Sequence, residues 1–254
     1  MTRRPLILLA AAGLLALASC SLRNNTTRGE LSNGQFTYRC VDSSDAACDD
    51  PVGTAAVPAL LAVGGTFDLE YVGDATESSP VQLKAASEKM LSGASGNFEV
   101  LLPGVSAVLA RDTSGVVADF IHLRGVNIDH LDVSGPSSTK AVTQVQMDID
   151  KEIELQVVPK DELGARLAGA FPYAWSTSDF NVISLSPISK KNRVTLTAFS
   201  AGTATVEVSL PSGEKMAVVV TVKQGMNTSS SSGGEGGAGS STGSTGAGGA
   251  GGGK

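Results

Sequence analysis

The chain has 254 residues, 41% hydrophobic and 17% charged, with 4% aromatic and a net charge of −6. That length and apolar content suffice for one large core or two modest ones, and a mixture of Gly, Ser, Thr, Val and Ala with few aromatics favours short strands joined by small-residue turns. The acidic balance, without any basic cluster, excludes nucleic acid and anionic lipid head groups as partners held by net charge.

At the amino terminus Arg3 and Arg4 precede an apolar run over residues 6–17 and the small residues Ala18 and Ser19, the three-part pattern of an export signal. About twelve apolar residues are too few for a helix crossing a hydrocarbon core of about 30 Å, which needs roughly 20. A cleavable signal over residues 1–19 is therefore expected. The tetrapeptide Leu17-Ala18-Ser19-Cys20 resembles the lipobox of bacterial lipoproteins. That resemblance implies a diacylglyceryl thioether on Cys20 and usually a further acyl group on its new amino terminus. With Ser21 rather than Asp after the Cys, it also implies sorting to the outer membrane. Two or more acyl chains, at about 0.8 kcal/mol per buried methylene, hold a protein on a bilayer where one does not. Of the 19 basic residues, Arg3 and Arg4 leave with the signal, so 17 remain against 25 acids, a net of −8.

Residues 20–35 are polar and without hydrophobic period, which predicts a flexible tether. With Cys20 assigned to lipid, Cys40 and Cys48 remain, in a short polar loop. In an oxidising compartment such a pair predicts a local disulfide, contributing roughly 2–3 kcal/mol. A redox or metal pair would call for C-x-x-C spacing or a neighbouring His, and neither is present.

Strand signals, alternating apolar and polar, follow at residues 35–38, 66–71, 81–85, 97–102, 106–111, 116–124 and 128–133. Asp112-Thr113-Ser114-Gly115 reads as a hairpin loop. A polar break at 134–138 then separates a first domain, residues 36–134, from a second over 141–224. In the second, strands are predicted at 141–148, 152–158, 173–177, 182–186, 193–199, 203–210 and 216–222, with residues 163–169 the one candidate for a short helix. Seven short strands with turns near every ten residues fit a small sandwich.

The runs Trp175-Ser176-Thr177-Ser178-Asp179, Val182-Ile183-Ser184-Leu185 and Ala201-Gly202-Thr203-Ala204, with the strand at 217–222, resemble a group 2 bacterial immunoglobulin-like domain. The resemblance covers about residues 141–224 and departs where residues 186–192 replace a shorter turn. It implies a buried Trp175 and carries over no catalytic residue. The pairs Gly104/Gly202 and Gly115/Gly213 each lie 98 positions apart and bracket strands of similar length, as a diverged first copy of the same unit would. The expected architecture is thus all-β, with two tandem immunoglobulin-like β-sandwich domains between the tether and a Gly/Ser-rich tail over residues 225–254, too poor in apolar surface to fold.

Candidate chemistry is sparse. Matches to G-x-S-x-G (residues 239–243), G-x-G-x-x-G (246–251) and a P-loop (248–254) fall in the tail, without the strand and helix that each needs. Only two histidines exist. His122 is expected on the solvent face of its strand. Asp129, His130 and Asp132 could form a metal corner, and Asp148, Asp150 and Glu152 a calcium site at a domain junction, though a solvated strand end and an acidic edge explain each as well. No catalytic residue, metal site or cofactor is predicted. The expected role is that of a non-enzymatic membrane-anchored envelope lipoprotein, held to the membrane through lipid on Cys20 and acting structurally or adhesively on an envelope protein or polysaccharide. The alternative is an accessory ligand- or metal-binding subunit of an envelope complex.

Overall fold

The computed structural model describes residues 26–40, 44–48, 53–74, 80–135, 138, 140–186 and 191–225. The predicted signal, Cys20 with the start of the tether, and residues 226–254 of the tail lie outside the described residues. Among those described the structure is all-β, without a helix.

The first eleven strands are β1 (Thr27–Arg28), β2 (Gly34–Cys40), β3 (Gly53–Ala55), β4 (Leu61–Ala62), β5 (Thr66–Gly73), β6 (Gln82–Ala85), β7 (Leu91–Ala94), β8 (Asn97–Val100), β9 (Gly104–Arg111), β10 (Val117–Val126) and β11 (His130–Ser134). Then come β12 (Gln144–Asp148), β13 (Glu152–Lys160), β14 (Ala174–Thr177), β15 (Ile183–Ser186), β16 (Arg193–Ala198), β17 (Gly202–Ser209) and β18 (Lys215–Lys223).

In the second half, one sheet has the order β11-β13-β16-β15 and the other β12-β18-β17-β14, with β12 parallel to β18. Lettered A to G, this is ABED facing an A′GFC sheet, the strand order of the immunoglobulin fold. The first half repeats it: β2-β5-β8-β7 continues into β6-β9-β10-β4, with β4 parallel to β10. Here the two faces are joined edge to edge through one pairing, Lys84 with Ala94. The strands β9 and β17 begin 98 positions apart, as do β10 and β18. The turns match as well. Gly64 N donates to Val100 O at 2.7 Å, and Asp150 N donates to Ala198 O at 3.0 Å; Val100 N reaches Gly65 O and Ala198 N reaches Lys151 O, both at 3.1 Å. The chain therefore contains two tandem immunoglobulin-like β-sandwiches.

Each sandwich buries its own core by strand alternation. In the first, Phe36 and Tyr38 on β2 point inward with Phe67 and Phe98, and the Phe67 ring lies 6.0 Å from Tyr38 and 5.7 Å from Phe98. Val108, Ile121 and Leu123 close it. The second core is aliphatic around Trp175, with Leu155, Val157, Leu196, Val206 and Val220.

The structure corrects four readings. The region expected to be tether is structured from Thr27 onward: β1 pairs with β2, and the turn that follows is bonded to β10. The strand β11, placed by its sequence before the polar break, belongs to the second sandwich, where it pairs with β13 and buries Leu131 and Val133. The break at 134–138 is the crossing from that strand to β12 in the opposite sheet, so it lies within a domain. Residues 163–169 form no helix, because the Asp161 carboxylate takes the amides of Leu163 and Ala165 at 3.0 and 2.6 Å and turns the chain instead. Finally, Asp148, Asp150 and Glu152 do not share a strand face. Asp150 occupies the left-handed region, φ 62°, in the turn between β12 and β13.

Candidate functional site

The feature that most distinguishes this molecule from two beads on a string is the junction of its sandwiches. Cys40, at the end of β2, is disulfide-bonded to Cys48, and both are buried. The loop they close holds Asp45, whose side chain is also buried. Its carboxylate accepts the hydroxyl of Tyr38 and the amide of Ala47 at 2.8 Å. It also accepts the amide of Gly169 at 3.1 Å, from the long loop between β13 and β14 of the second sandwich.

That loop then bonds to the first sandwich through isolated backbone bridges. Ala168 N donates to Leu60 O, Ala62 N donates to Ala168 O, and Thr66 and Ala170 exchange both of their backbone bonds at 2.8–3.1 Å. Such close approach depends on glycine. A Cβ on Gly65 would lie 3.0 Å from the Phe171 ring and 3.2 Å from the Gly169 Cα, and Gly169 has φ +122°. Gly65 thus admits the loop, and Gly169 turns its own amide toward Asp45.

Burial raises the phenol pKa of Tyr38 and Tyr173 at this junction and, farther along β5, that of Tyr71. Burial first, then the charge of Asp45 and the hydrogen bond to it, push Tyr38 well above its usual range. Tyr173 is raised by burial and by Asp45, against a smaller opposing effect of Arg166. Tyr71 is raised by partial burial and by Asp119 and Asp74. Unfolded, each ionises near 10. Above that pH the folded chain retains protons that the unfolded chain loses, so stability fully present below pH 10 declines as pH rises. The melting temperature is expected to fall progressively in alkali, with the Tyr38 and Tyr173 tyrosinates forming only as the protein unfolds; full phenol titration of a still-folded protein would contradict the burial of Tyr38 and Tyr173.

Beside the junction lies an open groove of about 610 Å³ between the sandwiches, bordered by Leu60, Pro103, Arg124, Asp129, Glu162 and Leu163. Its walls mix apolar and charged groups. Near it, His130 Nδ1 lies 2.8 Å from Asp129 and Nε2 lies 3.7 Å from Asp132, so the three residues considered as a metal corner do meet, as an exposed ion-pair cluster. Exposed pairs of this kind contribute little to stability. His122 is on the solvent face of β10, with Nδ1 3.3 Å from Glu30. Asp148 and Asp150 are exposed, and Glu152 accepts the Thr197 hydroxyl at 3.2 Å. Among the described residues no three of His, Cys, Asp and Glu are placed to hold a metal ion. Trp175 is in the core, its Nε1 donating to Lys191 O at 3.0 Å.

No family model and no curated protein matches the chain. Among solved structures it is similar to domains 4 and 5 of the S-layer protein SbsC, at 16% identity and a TM-score of 0.30 over 64% of this chain and 91% of that one. It is similar to the Escherichia coli adhesin FdeC at 16% identity and 0.33, over 66% and 62%. Its similarity to the Yersinia pseudotuberculosis adhesin InvE is 12% and 0.31, over 66% and 57%. The chain spans less than two thirds of the two adhesin structures. Its fold assignment rests on its own strand order.

Proposed function

We propose that this chain is a non-enzymatic, lipid-anchored lipoprotein of the cell envelope, held by acyl chains on Cys20 in the outer membrane, to which Ser21 points, with a structural or adhesive role. The observation that carries the reading is the lipobox Leu17-Ala18-Ser19-Cys20 directly behind a positively charged, apolar leader. The Cys40–Cys48 disulfide supports it, because such bonds persist in exported proteins. So does the pairing of both histidines with carboxylates on open surface rather than with a nucleophile. The second sandwich, on this reading, is of the group 2 bacterial immunoglobulin-like kind.

The test is metabolic labelling with an alkyne fatty acid, followed by fractionation and mass spectrometry of the mature amino terminus. Wild type should be labelled, begin at Cys20 and sediment with membranes; Cys20→Ala should be unlabelled and lose the membrane association. An unmodified Cys20 thiol, or residues 1–19 retained, overturns the proposal. A second reading, an accessory ligand-binding subunit, is favoured only by the junction groove. Calorimetric titration of Arg124→Ala against wild type, once a ligand is in hand, separates the two.

A further inference from the structure

We infer that the segment 44–48, tied to β2 by the Cys40–Cys48 disulfide, is a latch: it presents Asp45 to the second sandwich and so fixes the angle between the two domains. Tandem domains with small polar contacts move relative to one another by default. Here the connection from β10 to β11 is three residues, Asn127 to Asp129, which by itself would leave a hinge. What opposes the hinge is backbone pairing between residues 60–66 and 168–170, together with packing of Leu60, Ala62 and Val126 against the second core and of Ala168 against the first. That pairing needs residues 168–170 extended and Gly169 in its left-handed conformation, and the Gly169 amide is the atom that Asp45 takes.

Asp45 can hold that amide only if its own loop is fixed. Among the described residues, the disulfide and the Tyr38 hydroxyl hold it. Because Tyr38 is fully buried in the first core, the carboxylate is referenced to that core rather than to a mobile surface loop. Both cysteines are buried as well, so the latch is permanently closed rather than switched at the surface. The chain of contacts runs from the core of sandwich 1 through Tyr38, Asp45 and Gly169 to the loop that leads into Trp175 and the core of sandwich 2.

The experiment uses the whole mature protein and reads amide hydrogen exchange at residues 168–170 alongside small-angle scattering. Asp45→Ala should speed exchange at 168–170 at least tenfold and broaden the distance distribution, while amides in β17 and β18 keep their protection. Cys40→Ser with Cys48→Ser should do the same. Combined with Asp45→Ala, the cysteine changes should add nothing further at 168–170, since the loop acts through that carboxylate. Gly169→Val changes no residue of the first sandwich and should loosen the same residues by straining the φ of +122° that turns the amide toward Asp45. Unchanged exchange at 168–170 in these variants, or full additivity between the disulfide and Asp45, would overturn the latch.

Discussion

Truncating Trp175 to Ala is expected to lower the stability of the second sandwich by about 3–5 kcal/mol, the range for deleting a buried large aromatic. The residue stands on β14, an outer strand paired only with β17, and its ring is buried against the aliphatic core. Deleting it removes packing from both sheets and strips the Lys191 carbonyl of its donor. For a domain of this size about 1 kcal/mol shifts the melting temperature by roughly 4–8 °C, so calorimetry should show a fall of at least about 12 °C. Trp175→Phe keeps most of the ring and loses the hydrogen bond, for which about 1–2 kcal/mol is expected. As the one tryptophan of the chain, Trp175 also reports its own environment: its emission should shift to the red in a single step as the second sandwich melts. A Trp175→Ala protein that melts within a degree or two of wild type would remove Trp175 from the core.

The strands that could be read from the sequence are those whose alternation is long enough to repeat. β2 and β5 place Phe36, Tyr38, Phe67 and Leu69 on one face at period two, and the structure buries all four. β4 has two residues and β7 is the run Leu91-Ser92-Gly93-Ala94, too short and too rich in small residues to show any period. The domain border was hidden for a different reason. β10 passes into β11 within three residues and with no change of composition, whereas the conspicuous polar stretch at 134–138 is only a crossing between two sheets of one sandwich. The junction was the least legible part, because Asp45 and Gly169 are 124 positions apart and each looks like an ordinary loop residue. The traces it left are small: an acid inside a cysteine-closed loop, and the Gly64-Gly65 pair directly before a strand.

Asp119 is an acid at an inward-facing position of its strand, and alternation alone does not say what satisfies it. It falls in step with Ile121 and Leu123 on the inward face of β10, just after the register shift between Val117 and Asp119, and its side chain is fully buried. There it accepts the amides of Leu31 and Asn33, both at 2.9 Å. Asn33 Nδ2 and the Glu30 amide bond to the carbonyls on either side of it, of Ala118 and Phe120. Gly29 completes the seat, since any Cβ there would fall 2.3 Å from the carboxyl group. Asp119→Ala should therefore cost about 2–4 kcal/mol, from two charge-assisted hydrogen bonds lost at once. Amides 29–33 should lose their protection from exchange, while those of β9 keep theirs. Asp119→Asn, which retains an acceptor oxygen but sets an amide group against a donor, should fall between. The consequence reaches toward the proposed anchor. With β1 paired, six residues separate Cys20 from the sheet, a reach of at most about 25 Å; released as far as Gly34, the same link would extend to about 50 Å. Under the proposed lipid anchor on Cys20, Asp119 would limit how far the first sandwich stands from the membrane; unchanged exchange at 29–33 in Asp119→Ala would refute that Asp119 holds the turn.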